Sequence, residues 1–334
     1  MARVNEQAAP GKVGATASGL LLVDKPQGWT SHDAVARTRR LAGTRKVGHA
    51  GTLDPMATGL LILGINSSTR LLTYVVGLGK EYRATIRLGA STTTDDAEGE
   101  ELARASVDAV AAITPEAVAA GIGALTGDIA QQPSSVSAIR IDGKRAYARV
   151  RAGEAVDLPA RPVTVSAFEL LSTTPADGFL DLEVRVECSS GTYIRALARD
   201  LGAALSVGGH LTSLRRTRIG PFRVDAAQPL ADLDVAAGLI GPTDAATRIL
   251  GRLDLTEQQA IDLGHGKRIA VEAPSRASRA DGIDAPVGPI AAVAPDGRLV
   301  GLVEYRGDHA KSLLNFPPDQ AVAAPTAADP EASE

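Results

Sequence analysis

Residues 48–59 read Gly-His-Ala-Gly-Thr-Leu-Asp-Pro-Met-Ala-Thr-Gly, which sets one carboxylate, Asp54, between Gly51 and Gly59. A carboxylate in such a setting can act as a nucleophile or as a base, and small neighbours let a ligand approach the backbone. Proline restricts its predecessor to extended conformations, so Pro55 narrows the poses open to Asp54. The same Asp-Pro pair before Met-Ala also suits a helix N-cap and first turn, and the local residues leave both readings open. Two more side chains can do chemistry. Tyr82 lies on the apolar side of an alternating segment, where a tyrosine is ordinarily part of a core. Arg195 falls in the first turn of a helix, where the macrodipole gives a cation little local gain, so either a solvated face or a distant partner accounts for it.

The elements that must position these residues are legible as periodicities. Residues 20–23 form a short apolar strand, and residues 60–63 suit a buried strand just after the Asp54 segment. Thr30 or Ser31 can cap a helix running to about Ala42, with Gly43 as the stop. On that helix Arg37 and Arg40 share a face. Residues 81–88 alternate, with Tyr82, Ala84, Ile86 and Leu88 on one side. Residues 182–188 alternate likewise, and Ser189-Ser190-Gly191 then turns the chain into a helix with an Ile194, Leu197, Leu201 and Leu205 stripe. Strands and helices mix without regular βαβ spacing, which predicts an α+β sheet domain over residues 20–245. Residues 240–246, with Gly241 and Pro242, read as a linker to a small β-rich domain at 252–316, and residues 276–289 as a loose loop inside it. Residues 1–19 and 317–334 read as a disordered arm and a disordered acidic tail.

The chain has 334 residues and a net charge of −4, which argues against a generic polyanion binder. The acidity is uneven. Residues 20–251 carry 25 basic and 25 acidic residues, and the remainder carries 10 and 14. Arg37, Arg39, Arg40, Arg45 and Lys46 occur without an intervening acid, and so do Arg215, Arg216, Arg218 and Arg223. Such runs are either solvated faces or phosphate contacts. Residues 131–151 add Arg140, Lys144, Arg145, Arg149 and Arg151 around Tyr147, with Asp142 as the single acid, a composition suited to RNA docking. Cys188 is the only cysteine, so no internal disulfide or multi-cysteine metal site is expected. No apolar run approaches the roughly 18–20 residues of a membrane helix, and the first 19 residues lack a signal-peptide core, so a cytoplasmic protein is expected.

Five blocks, in order, resemble the signatures of the TruB-type tRNA pseudouridine synthases. They are Leu22-Val23-Asp24-Lys25-Pro26-Gln27-Gly28; the Asp54 segment; Lys80-Glu81-Tyr82-Arg83-Ala84; residues 131–147; and Gly191-Thr192-Tyr193-Ile194-Arg195-Ala196-Leu197, followed by Leu214-Arg215-Arg216-Thr217. The resemblance implies a pseudouridine synthase fold with a mixed, largely antiparallel central sheet and a PUA-like C-terminal domain. It implies isomerisation of uridine 55 in the tRNA T loop, with base flipping, no cofactor and no metal. It makes Asp54 the essential group, pairs Arg195 with it, and stacks Tyr82 on the flipped uracil, where the phenol assists proton transfer at C5. It gives His49 the space vacated by the flipped nucleotide, Tyr193 and Leu214 pocket positions, and Lys25 a supporting place beside the pocket. Phosphate contacts fall to Arg37, Arg40, Arg140, Lys144, Arg145, Arg215 and Arg216. The implied protein is a monomer that binds the tRNA T arm without an obligate protein partner and could also assist tRNA folding. A catalytic subunit dependent on a guide RNA, and an RNA-folding helper without needed catalysis, are the rival readings.

Overall fold

The computed structural model describes residues 17–134, 140–141, 144–145, 159–271 and 288–317. Strand β1 (Gly19–Lys25) leads into helix α1 (Ser31–Leu41); β2 (Val47–Ala50) and β3 (Thr58–Ile65) follow, joined by the Asp54 segment. A short helix α2 (Leu72–Val76) enters β4 (Lys80–Leu88). Helix α3 (Pro115–Ala124) precedes β5 (Gly127–Gln131), β6 (Arg161–Ala176) and β7 (Phe179–Cys188). Helix α4 (Ile194–Ala204) then returns the chain to β8 (Gly209–Ile219). These strands lie in the order β1-β3-β8-β4-β7-β6-β5 within a sheet of eleven described strands. Neighbours on this path are antiparallel except β3 and β8, so the sheet is mixed and largely antiparallel, as expected.

Local sequence explains the pieces. Thr30 caps α1 in a reciprocal box: the Asp33 N–H donates to Thr30 Oγ1 (3.1 Å) and the Thr30 N–H donates to Asp33 Oδ2 (2.9 Å). The alternation in β4 buries Tyr82, Ala84, Ile86 and Leu88 against the α4 stripe of Ile194, Leu197 and Leu201. Side chains of this kind contribute roughly 1.5–3 kcal/mol each when fully buried. That packing fixes α4, and with it Arg195, over the sheet face that carries Tyr82.

The expected linker at 240–246 is ordered structure instead. Leu239–Ile240 pairs antiparallel with β1, and Pro242 opens helix α5 (Pro242–Ile249). A proline at the first helical position lacks only an N–H that would be unpaired anyway, so the apparent breaker is a starter. Beyond it, β9 (Gly251–Asp254), helix α6 (Glu257–Gly264), β10 (Ile290–Val293), β11 (Leu299–Arg306) and β12 (His309–Asn315) build a second sheet, in the order β9-β10-β11-β12 with Ile269–Ala270 at its edge. Leu20, Leu22, Leu60 and Ile62 share one apolar cluster with Ala245, Ala291, Leu299, Leu302 and Phe316, so the smaller sheet is docked onto β1 and β3. Most of the expected loop at 276–289 lies outside the described residues. No described helix is long and apolar enough to cross a membrane.

Candidate active site

Asp54 lies in the β2–β3 connection, in a turn closed by the Ala57 N–H donating to the Asp54 carbonyl (3.1 Å). No helix begins there, so the pinned-loop reading holds. The pins are long-range. Ser31, at the start of α1 and 1% exposed, accepts from the Leu53 N–H (2.9 Å) and donates to the Leu53 carbonyl (3.2 Å). The Gly28 N–H donates to the Pro55 carbonyl (2.8 Å). Arg216 Nη2 donates to the Gly51 carbonyl (3.0 Å). The loop is thus held at 51, 53 and 55, with Asp54 between the fixed points.

Arg195, in the first turn of α4, bridges two carboxylates. Its Nη2 is 2.9 Å from Asp54 Oδ2, and its Nη1 is 3.4 Å from Asp96 Oδ2. The Asp54 side chain is 40% exposed, whereas those of Arg195 and Asp96 are 6% and 4% exposed. Nη1 also donates to the Thr94 carbonyl (2.8 Å). The cation that gains nothing from its own helix is therefore held by a buried acid behind it and presented to the solvent-facing acid in front.

A cavity of about 250 Å³ opens beside this pair, and one face of β4 and β8 forms its floor. Tyr82 is directly opposite Arg216 in the register, and Ala84 is opposite Leu214, so Tyr82, Leu214 and Arg216 point the same way. Burial raises the Tyr82 pKa above 10.0, while the charge of Arg216 and its hydrogen bond to the phenol act in the opposite direction. Tyr82 is therefore a neutral phenol at physiological pH. Lys80, 6% exposed, donates from Nζ to the carbonyls of Leu78 (2.6 Å) and Val76 (2.7 Å); burial first, and Arg216 second, lower its pKa to about 8. Tyr193 lines the mouth at the N-cap of α4. Gln131 grips its backbone: Tyr193 N–H donates to Gln131 Oε1 (2.8 Å), and Gln131 Nε2 donates to the Tyr193 carbonyl (3.0 Å).

Asp54, Tyr82, Arg195, Tyr193 and Leu214 are thus brought together around one cavity. Three expectations need correction. Lys25 is fully buried and does not line the cavity; its Nζ donates to the carbonyls of Trp29 (2.7 Å) and Pro26 (3.0 Å) and reaches that of Pro55 (3.5 Å), so it braces the loop rather than meeting substrate. Arg216 is 1% exposed and donates from Nε to the Leu60 carbonyl (2.8 Å), which removes it from any backbone phosphate outside. Arg37 spends its guanidinium on the carbonyls of Leu230 (2.8 Å) and Ala231 (2.5 Å). Arg215 is 42% exposed and paired with Asp24 (2.6 Å). Arg40 is exposed beside Arg39 and Arg45 in an open surface depression. His49 on β2 meets His32 edge-on at 5.6 Å, has a buried Nδ1 without a hydrogen-bond partner among the described residues, and has its pKa lowered chiefly by burial; it does not line the cavity. The backbones of Arg140–Ile141 and Lys144–Arg145 pair with each other, and the expected phosphate contacts of Arg140, Lys144 and Arg145 concern side chains outside the described part.

The sequence reading missed Ser31, Asp96, Gln131 and the pocket role of Lys80. Asp96 carried one signal, its place in the polar run Thr92-Thr93-Thr94-Asp95-Asp96, which looks like a plain turn until Arg195 is set against it.

The architecture over residues 17–250 is the pseudouridine synthase fold. The solved archaeal box H/ACA complex of Nop10 and Cbf5 matches it with a TM-score of 0.64 at 24% identity, covering 91% of this chain and 88% of that one. Residues 39–194 match the N-terminal domain of the TruB family pseudouridylate synthases, residues 195–250 the tRNA pseudouridylate synthase B C-terminal domain, and residues 250–317 the tRNA pseudouridine synthase II C-terminal domain. The tRNA pseudouridine synthase B of Leifsonia xyli subsp. xyli is 64% identical over 309 residues, covering 92% of this chain and 99% of its own. That of an Arthrobacter species is 56% identical, covering 90% and 97%. The chain belongs to the TruB family of pseudouridine synthases.

Proposed function

We propose that this enzyme converts uridine 55 in the T loop of tRNA to pseudouridine, with Asp54 as the essential group. The observation that carries the reading is the Asp54–Arg195 pair, 2.9 Å apart, at the mouth of a cavity floored by Tyr82. The relatives called tRNA pseudouridine synthase B supply the substrate class.

The isomerisation breaks the bond from ribose C1′ to N1 of the base, turns the base, and rejoins it through C5, with loss of the C5 proton and gain of one at N1. No electrons are exchanged. Asp54, loop-held and ion-paired, attacks as a nucleophile or takes the C2′ proton, and either role needs the carboxylate form. The target must leave its stack to reach the cavity, and Tyr82 offers an aromatic surface that offsets part of that cost. Tyr193 and Leu214 confine the base, and His49 enters the gap left in the RNA. Arg40 and Arg215, with Arg140, Lys144 and Arg145, contact phosphates, and the C-terminal sheet acts as a PUA-like RNA-binding module. The chain acts as a monomer, without cofactor, metal or protein partner.

The test is incubation of the purified chain with unmodified tRNA, followed by mapping of pseudouridine. Conversion at position 55 without guide RNA or added protein is expected, and Asp54→Asn should remove it while leaving tRNA binding intact. Conversion elsewhere, or none, overturns the reading.

A further inference from the structure

Two cations on the cavity floor have no part in the chemistry described so far. Arg216 and Lys80 both line the cavity, and both are buried. Arg216 has no carboxylate within 4.0 Å among the described residues, and neither has Lys80; main-chain carbonyls hold both. Buried cations ordinarily have acidic partners, because removing a charge from water costs several kcal/mol otherwise. Here the acids are elsewhere. Asp54 and Asp96 face Arg195, while the floor beneath Tyr82 is positive.

The geometry aims this charge into the cavity. Arg216 stands opposite Tyr82 on adjacent strands, and a Cβ placed on Gly51 would lie 3.4 Å from Arg216 Nη1 and 3.9 Å from Lys80 Cε. Gly51, at φ 76°, therefore leaves open the space that both cations border. Three of the five guanidinium N–H groups of Arg216 go to Leu60, Gly51 and the Tyr82 phenol, and two of the three ammonium N–H groups of Lys80 go to Val76 and Leu78. Donors remain on both.

We infer that Arg216 and Lys80 form an anion-holding floor that retains and stabilises the uracil anion between cleavage of C1′–N1 and closure of C1′–C5. When C1′–N1 breaks, the electron pair stays on N1 and the charge spreads to O2 and O4 of the base. The anion is the species that must neither leave nor pick up a proton before C5 meets C1′. Fixed donors and cations in a water-poor site stabilise charge that develops there without reorganising. When the new bond closes, C5 releases its proton, N1 takes one, and the base is neutral again, so the floor favours the intermediate over both substrate and product.

This inference rests on the proposed uridine isomerisation, and the test separates the two. Unmodified tRNA is prepared with either uridine or 5-fluorouridine at the target; fluorine makes the leaving base a weaker base and so less dependent on outside stabilisation. Single-turnover loss of the target nucleoside is measured for wild type, Arg216→Met and Lys80→Met, together with tRNA affinity. On uridine each variant should lose about 100-fold in rate with affinity unchanged, and on 5-fluorouridine about 10-fold or less. A purely structural role would slow both substrates equally, and equal losses overturn the inference. Should Arg216→Met fail to fold by circular dichroism, Lys80→Met decides alone. Wild type inactive on uridine would instead sink the function itself.

Discussion

Removing either half of the Asp54–Arg195 pair should abolish turnover, yet the two removals should differ sharply in stability. Arg195→Met leaves Asp96, 4% exposed, as a buried carboxylate without its cation. Stranding a buried charge costs about 3–5 kcal/mol, and the hydrogen bonds Asp96 retains from Thr94 Oγ1 (2.5 Å) and the Glu98 N–H (3.1 Å) place the figure at the lower end. Asp54→Asn removes a carboxylate whose side chain is 40% exposed, so solvent screens the loss to about 0–1 kcal/mol, and Arg195 keeps Asp96. Combining Arg195→Met with Asp96→Asn removes the stranded charge and should recover about 1–3 kcal/mol relative to the sum of the single changes. Urea unfolding followed by circular dichroism measures wild type, the three single variants Arg195→Met, Asp54→Asn and Asp96→Asn, and the double variant. If Arg195→Met is as stable as Asp54→Asn, or the double variant recovers nothing, Asp96 is not the anchor of Arg195.

Tyr82→Phe keeps the ring packing and loses the hydroxyl, so single-turnover rate should fall about 100-fold or more with tRNA affinity unchanged; loss of binding with intact chemistry would make Tyr82 a docking residue. Arg215→Ala should lower the slope of log affinity against log salt by about one, because Arg215 is half-exposed, and an unchanged slope would leave it as a partner of Asp24 alone. Stability should rise with pH between 8 and 9. Burial lowers Lys25 and Lys80 from 10.5 to about 8, so over that window the folded chain has released protons that the unfolded chain still binds. Above pH 9 Cys188, raised by burial from 9.0 to about 11, acts in the opposite sense, because its thiol ionises first in the unfolded chain. Melting temperatures that stay flat from pH 8 to 9, or a slope that Lys80→Met does not reduce, would refute this. Deleting residues 252–334 should raise the tRNA concentration for half-maximal rate, and it should also lower the melting temperature because Leu299, Leu302 and Phe316 belong to the apolar cluster that buries Leu20 and Leu22; a truncated protein as stable as the whole would show that the docking contributes nothing.

How much the sequence disclosed depends on the range of the interactions involved. Strands β4 and β7 and the stripe of α4 were legible because one face of each is buried along its whole length, and burial imposes a period. Asp54 was legible as a residue type in an unusual segment. Its supports were not, because Ser31, Gly28 and Arg216 reach it from other elements, and Arg195 meets Thr94 across 101 residues of chain. Arg216 shows a different failure. Counted in a run of charges it looks external, but strand side chains alternate, and Leu214 two residues earlier faces the core. Applying that period to 214–216 would have put Arg215 outside and Arg216 inside. Pro242 was misread for a related reason: a proline ends a helix or begins one according to the residues after it, and residues 243–249 continue as a helix.

Under the proposed function, the buried cations also let a chain of net charge −4 hold a base that becomes an anion. Lys25, Lys80 and Arg216 are all at most 6% exposed, and each donates to main-chain carbonyls. Carbonyl partners satisfy the donors without cancelling the charge, as a carboxylate would, so the interior stays positive where Asp54 does not reach. The same bonds fix the backbone at 51, at 55 and at the carbonyl of Val76, because each cation ties down the segment that partly solvates it. Positional rigidity and positive potential therefore arise from one set of contacts. A variant that swaps one of these cations for a neutral side chain should loosen a loop and weaken the field together, whereas Arg216→Lys keeps the charge and loses the fork that holds both Leu60 and Gly51. A rate for Arg216→Lys between those of wild type and Arg216→Met would apportion the effect between field and fixation.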